Sequence, residues 1–257
     1  MSNGRETNIL SDLSGLARFT VKTIKEMTSP PFEIRELLKQ CYVLGYTTLP
    51  LIIITAFILG LVITLQSRPI MVDFGAESLL PSMVSVSIVR EIGPVVTALI
   101  CAGKMGSGIG AELGSMRVTE QIDAMEVSGT NPMKFLVATR VVAATLMIPI
   151  LVFFADTVAF AGSYIAVNLH GDISIALYIT DAFAPLHYYD VIPATIKTFI
   201  FGFAIGLIGC YKGYTAGFGT ESVGKASNSA VVMSSVAIFI IDLIVVELQH
   251  SFEMTQF

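Results

Sequence analysis

Charge is what this sequence has least of. Only 14% of its 257 residues are Asp, Glu, Lys or Arg, against roughly 25% in an ordinary soluble domain. With 54% hydrophobic residues and a mean hydropathy of +0.76, that scarcity excludes a water-soluble globular chain and indicates an integral membrane protein. The net charge is −5 and the few basic residues form no stripe, which argues against nucleic acid as a partner. Cysteine is also scarce: Cys41, Cys101 and Cys210 are odd in number, lie in or beside apolar runs and show no CxxC spacing. Neither a disulfide framework nor a zinc site follows from them, and they read as small core hydrophobes.

Motifs for bond chemistry are missing too. The three histidines are isolated, without HExxH or other metal-ligand spacing, and no Ser or Cys stands in a nucleophile elbow. The expectation is no catalytic residue and no metal. The segment Gly219–Ala226, GTESVGKA, comes within one residue of a phosphate-binding loop. It follows a membrane segment rather than a strand, however, and Ala226 has no hydroxyl to hold magnesium. No cofactor is therefore expected in this chain, and any ATP with its magnesium belongs to another chain.

What the sequence does contain is long apolar runs. Five segments, about residues 42–64, 92–113, 135–167, 191–211 and 230–248, approach or exceed the ~20 residues needed to cross a bilayer as a helix. They lack the strict alternation of a β-barrel. The third, 33 residues long, is expected to tilt, kink near Pro149 or project from the bilayer. Ahead of them, Leu10, Leu13, Ala17, Val21 and Ile24 share one helical stripe, with Arg18, Lys22 and Lys25 off it. That pattern reads as a basic amphipathic helix lying on the membrane, too polar for a signal-peptide core. Ser29-Pro30-Pro31 breaks it before an expected short helix over residues 32–40. The fold expected is all-α: an interfacial region at 1–40, then a transmembrane domain at 41–257 with five spans.

Lysine and arginine set the orientation. Arg5, Arg18, Lys22, Lys25, Arg35 and Lys39 precede span one; Arg117, Lys134 and Arg140 flank the turn between spans two and three; Lys212 and Lys225 lie between spans four and five. The opposite face has only Arg68 and Arg90, and the stretch from Asn168 to Asp190, with His170 and His187, has neither Lys nor Arg. The N terminus is accordingly expected in the cytoplasm and the C terminus outside.

Ionisable groups at membrane depth cost about 2.5 to 3.5 kcal/mol on insertion scales, so each is a functional candidate. Glu91 begins span two from the outer side, while Lys197 and Asp242 each lie six residues into a span, roughly 9 Å deep at 1.5 Å per residue. With Arg90 and Asp190 at the rim, they imply a polar-lined cavity open outward. A purely structural ion pair locking helices together is the alternative. Lys104 falls in the cytoplasmic half of span two. Gly106, Gly110 and Gly114 have the small-xxx-small spacing that lets helices approach closely. Beyond them, a helix over about 117–129 puts Val118, Ile122 and Met125 on one face and Glu120, Asp123 and Glu126 beside it, a shape suited to a partner's groove.

The run REIGPVVTALICAGKMGSGIGAELGSMRVTEQIDAMEVSGTNP, Arg90 to Pro132, resembles the MlaE/YrbE family of ABC-transporter permeases, as do DVIPATIKTFIFG, GYTAGFGTESVGKASNSAVV and IDLIVV. The resemblance covers most of the chain from about residue 40. It implies a subunit in the bacterial inner membrane, paired with a second copy of itself beneath a ring of MCE-domain proteins and above two cytoplasmic ATPases, with a STAS-type subunit as an optional addition. Phospholipid would be the cargo and outer-membrane lipid asymmetry the outcome. The same resemblance implies a lipid pocket at Arg90, Glu91, Asp190, Lys197 and Asp242, and a coupling helix in which Thr119, Glu120, Asp123 and Glu126 meet the ATPase. Lys104-Met105 departs from the family, where an Arg followed by a small or branched residue is usual. Three other classes stay open: a secondary transporter carrying protons on the buried carboxylates, a noncatalytic scaffold for an MCE protein, and an intramembrane enzyme using Glu91 and Asp242.

Overall fold

A computed structural model describes residues 3–30, 32–169, 171 and 173–254. Every regular element among them is helical, because backbone N–H and C=O groups in hydrocarbon must be satisfied within their own segment. Five stretches are long and apolar enough to cross a membrane: Ile34–Asp73, Glu77–Val118, Met133–Asn168, Tyr188–Tyr214 and Thr220–Gln249. The protein is an all-α membrane protein with an additional N-terminal helix.

Helix α1 (Asn3–Thr28) stops at the Ser29-Pro30 break. Helix α2 (Ile34–Asp73) then runs unbroken through residue 40, so the separate short helix expected over 32–40 does not form. Its polar first turns are held by Gln40 donating to Glu36 at 2.7 Å and by the Lys39–Glu36 pair at 3.7 Å. The second span is a composite. Helices α3 (Leu80–Ser87), α4 (Gly93–Cys101) and α5 (Ser107–Val118) are joined by π-helical turns at Ile88–Ile92 and Ala102–Gly106. Helix α6 (Gln121–Val127) follows, and a third π turn, Met133–Ala138, leads into α7 (Thr139–Asn168), which contains Pro149. The segment read as an outer loop contains helix α8 (Ile175–Phe183), started by Ser174, whose Oγ accepts from the Leu177 N–H at 3.3 Å. His170, in that same segment, lies outside the described residues. Helices α9 (Tyr188–Tyr214) and α10 (Thr220–Met254) complete the chain.

The helices contribute to two compact units, one of residues 1–44, 102–146 and 202–237, the other of residues 45–101, 147–201 and 238–257. The first is held by close backbone approach. A Cβ at Gly213 would stand 2.9 Å from the Gly110 carbonyl oxygen and 2.7 Å from the Leu113 Cβ, and one at Gly202 would stand 2.7 Å from the Ala144 oxygen. Only glycine lets these helices meet there, gaining dispersion where no water is available to drive association. Buried Arg140 is clamped in the same unit by Glu112 at 2.7 Å and by the Leu136 carbonyl at 2.9 Å.

Helix α1 joins this unit through Phe19, whose ring packs edge-on against Tyr211 at 5.5 Å, and through buried Thr23. The stripe read from the sequence is on another side: Ala17, Val21 and Ile24 are exposed, while the side chains of Leu10 and Leu13 lie outside the described residues. In the second unit, the Gly60 and Gly162 backbones press against the Ala159 and Phe57 carbonyls, and the Thr64 hydroxyl donates to Ser163 Oγ at 2.7 Å. Helix α8 is tied to α3 by Ser82 and Ser85, which donate to the Asp181 and Ala182 carbonyls.

Candidate functional site

Within the second unit, Lys197 is a buried cation, at 2% exposure. Its Nζ donates to Glu91 Oε2 at 2.7 Å and to Asp242 Oδ1 at 3.1 Å, so α9, the π turn before α4, and α10 meet at one ammonium. One cation between two carboxylates leaves a formal charge of −1. Arg90, next to Glu91, pairs with Asp190. Asp190 is 2% exposed and also accepts the His187 N–H at 2.9 Å, which anchors the first turn of α9. All five residues proposed from depth thus fall into two charge clusters in one unit.

The clusters differ in what they leave open. Lys197 is spent on carboxylates, whereas the Arg90 side chain is 40% exposed; its Nε is buried and has no hydrogen-bond partner among the described residues. Arg90 and Glu91 both belong to the π turn Ile88–Ile92. An i→i+5 turn rotates the side chains that follow it relative to those before, and such bulges recur at functional positions. Lys104 occupies the second π turn and is exposed, with Gly103 and Gly108 also exposed. Gly106, Gly110 and Gly114 face α9 and α10 in the first unit: a Cβ at Gly110 would lie 3.3 Å from the Ser227 Cα, and one at Gly114 3.6 Å from the Val223 Cα.

The segment expected to form one helix over about 117–129 is divided. Helix α5 ends at Val118, Thr119 and Glu120 form the break, and α6 starts only at Gln121. Glu120 has φ +57°, a left-handed conformation that a side chain disfavours by about 1–2 kcal/mol. This kink turns α6 so that Ile122 is wholly buried while Asp123 and Glu126 stay exposed. Both acids have partners within the chain: Arg117 reaches Asp123 at 2.5 Å, and the Tyr214 hydroxyl donates to Glu126 at 3.3 Å.

One acid was missed by reading depths along the sequence. Asp156 lies within α7, well inside the third span, and its Oδ1 is buried without a hydrogen-bond partner among the described residues. The rule that singled out Lys197 singles it out too; only the length and uniform hydropathy of that span hid it.

Residues 37–248 match the family described as Permease MlaE. The chain belongs to the MlaE permease family. A probable ABC transporter permease of Rickettsia prowazekii is 39% identical over 230 residues, 90% of this chain and 89% of its own length. One of Synechocystis is 36% identical over 206 residues, 80% and 78% of the two chains. The chloroplast protein TRIGALACTOSYLDIACYLGLYCEROL 1 of Arabidopsis thaliana is 35% identical over 210 residues, 82% of this chain and 60% of the plant protein. This MlaE-family protein is thus a membrane permease subunit, a role that calls for a path through the membrane and no bond chemistry.

Proposed function

We propose that this permease is the membrane subunit of an ATP-driven transporter moving phospholipid or a related lipid between the bacterial inner membrane and an MCE-protein conduit, and so sustaining outer-membrane lipid asymmetry. The observation that carries the reading is the pair of charge clusters at Arg90–Asp190 and Lys197–Glu91–Asp242, set in a unit whose buried residues are mostly apolar. A lipid needs both characters, walls for acyl chains and fixed charge for a headgroup. The Arabidopsis relative, named for a galactolipid, supports lipid as the cargo class.

In this mechanism the half-exposed Arg90 side chain meets the phosphate. Lys197 offsets one of the two negative charges of Glu91 and Asp242 and holds three helices in place; it is a positioning residue rather than the headgroup contact. Two copies of the permease face each other, and an ATPase dimer engages α6 and its preceding break through Thr119, Glu120, Asp123 and Glu126. The N terminus lies in the cytoplasm and the C terminus in the periplasm, and a STAS-type subunit joins where present.

The test is lipid transfer by the complex rebuilt in vesicles with its ATPase and MCE protein. Arg90→Glu is expected to abolish ATP-dependent transfer of a fluorescent phospholipid while assembly and ATP hydrolysis persist. Undiminished transfer removes Arg90 from the lipid path. Transfer driven by a proton gradient without the ATPase would establish the secondary-transporter reading instead.

A further inference from the structure

The second unit contains a groove of about 940 Å³, near the upper end of the roughly 300–1,000 Å³ usual for small-ligand sites. Its walls come from α7, α8 and the first turns of α9: Phe153, Phe160, Ile179, Phe183 and Val191 are representative. Several of these are exposed, Phe153 by 70%, Ile179 by 49% and Phe183 by 52%. Phe153 belongs to a membrane-spanning helix, where such a surface meets lipid hydrocarbon rather than water.

The polar groups in this groove are nearly all accounted for. The Tyr178 hydroxyl donates to the Phe160 carbonyl at 3.3 Å, Tyr164 to Ile173 at 3.5 Å, and Thr157 to Phe153 at 2.8 Å. His187 has its Nδ1 against the Pro185 carbonyl. Asp156 is the exception, lining the groove with no hydrogen bond or ion pair among the described residues. Its Oδ1 fills the space that a side chain at residue 93 would take, so Gly93 provides the niche that brings the carboxyl group in. An acid without a partner at this depth is a cost that packing alone does not offset.

We infer that this groove binds one hydrocarbon chain of a membrane lipid whose polar part carries a hydroxyl, with Asp156 as the hydrogen-bonding anchor. A phosphate or an ammonium would have to be stripped of water to meet this acid at membrane depth. A hydroxyl costs less to bury and can either donate or accept. The site is distinct from the Lys197 cluster and rests only on the chain's membrane setting, so it stands or falls separately from the transport reading.

The experiment uses the full-length permease in phosphatidylcholine nanodiscs and, as probe, a monoacylglycerol with a photoreactive diazirine at the end of its single chain. Adducts are expected on α7 and α8 around Phe153, Ile179 and Phe183, saturating with probe. Unlabelled monoacylglycerol should displace them at least tenfold better than the same lipid methylated at both hydroxyls. Asp156→Ala should erase that preference, and Ala161→Trp or Ile179→Trp, which fill the groove from exposed positions on α7 and α8, should lower labelling at least tenfold. The comparison of the two competitors on the unaltered protein decides the matter even if a variant fails to fold. Labelling spread evenly over exposed faces of α2 and α10, absence of saturation, or equal displacement by the methylated lipid would each overturn the inference.

Discussion

Replacing Lys197 by methionine tests the charge cluster most directly. The ammonium is 2% exposed and serves Glu91 at 2.7 Å and Asp242 at 3.1 Å, so the change leaves two carboxylates facing each other without their cation. Removing one partner of a buried pair costs about 3–5 kcal/mol. Because the Glu91 side chain is 40% exposed, water restores part of its solvation, which places the expected loss near the lower end, about 3 kcal/mol. Asp242→Asn, at a carboxylate only 19% exposed, should cost about 2 kcal/mol, and Glu91→Gln about 1 kcal/mol. The decisive variant combines all three neutral substitutions. With no charge left to bury, it should return to within about 1 kcal/mol of the parent, since neutral replacements of buried ion pairs are often tolerated. Unfolding of the purified protein in mixed micelles, analysed as a mutant cycle, provides the comparison. A Lys197→Met protein within about 0.5 kcal/mol of the parent, or a triple variant less stable than Lys197→Met alone, would refute the reasoning.

Three further outcomes can be checked in the same assay. Gly213→Ala, which would put a Cβ 2.7 Å from Leu113 and 2.9 Å from the Gly110 carbonyl, should destabilise by about 1–3 kcal/mol, whereas Gly103→Ala, with nothing within 4 Å, should be neutral. Glu120→Gly should relieve the left-handed strain at φ +57° and raise stability by about 1 kcal/mol; unchanged or lower stability would show that the strain argument fails there. Glu112→Gln leaves the guanidinium of Arg140, 3% exposed, with the Leu136 carbonyl as its remaining partner; a loss of about 2 kcal/mol or more is expected, and a loss below 0.5 kcal/mol would show that the pair is solvated.

The membrane setting, the five apolar spans and their helical form were legible because they depend on composition and run length, which packing cannot change. The site was legible in part. Depth along each helix follows from a fixed rise per residue, so Glu91, Lys197 and Asp242 could be placed in one layer. Helix α8 was not legible, since nine residues are too few for a span and its apolar side is used against neighbours rather than lipid alone. Nor were the π turns at Ile88–Ile92 and Ala102–Gly106, whose extra residue leaves no mark in hydropathy. Thr119 and Glu120 read as part of a helix because nothing in their local pattern announces a left-handed residue.

By itself, then, the sequence determined what lies in the membrane and at what depth each charge sits: hydropathy and helical rise are local properties. Only the tertiary structure decided which charges face one another. Whether Lys197 meets Glu91 and Asp242, Arg90 meets Asp190, and Asp156 meets nothing depends on the rotation of each helix about its axis. That rotation is set by glycine contacts and π turns acting between segments far apart in the chain.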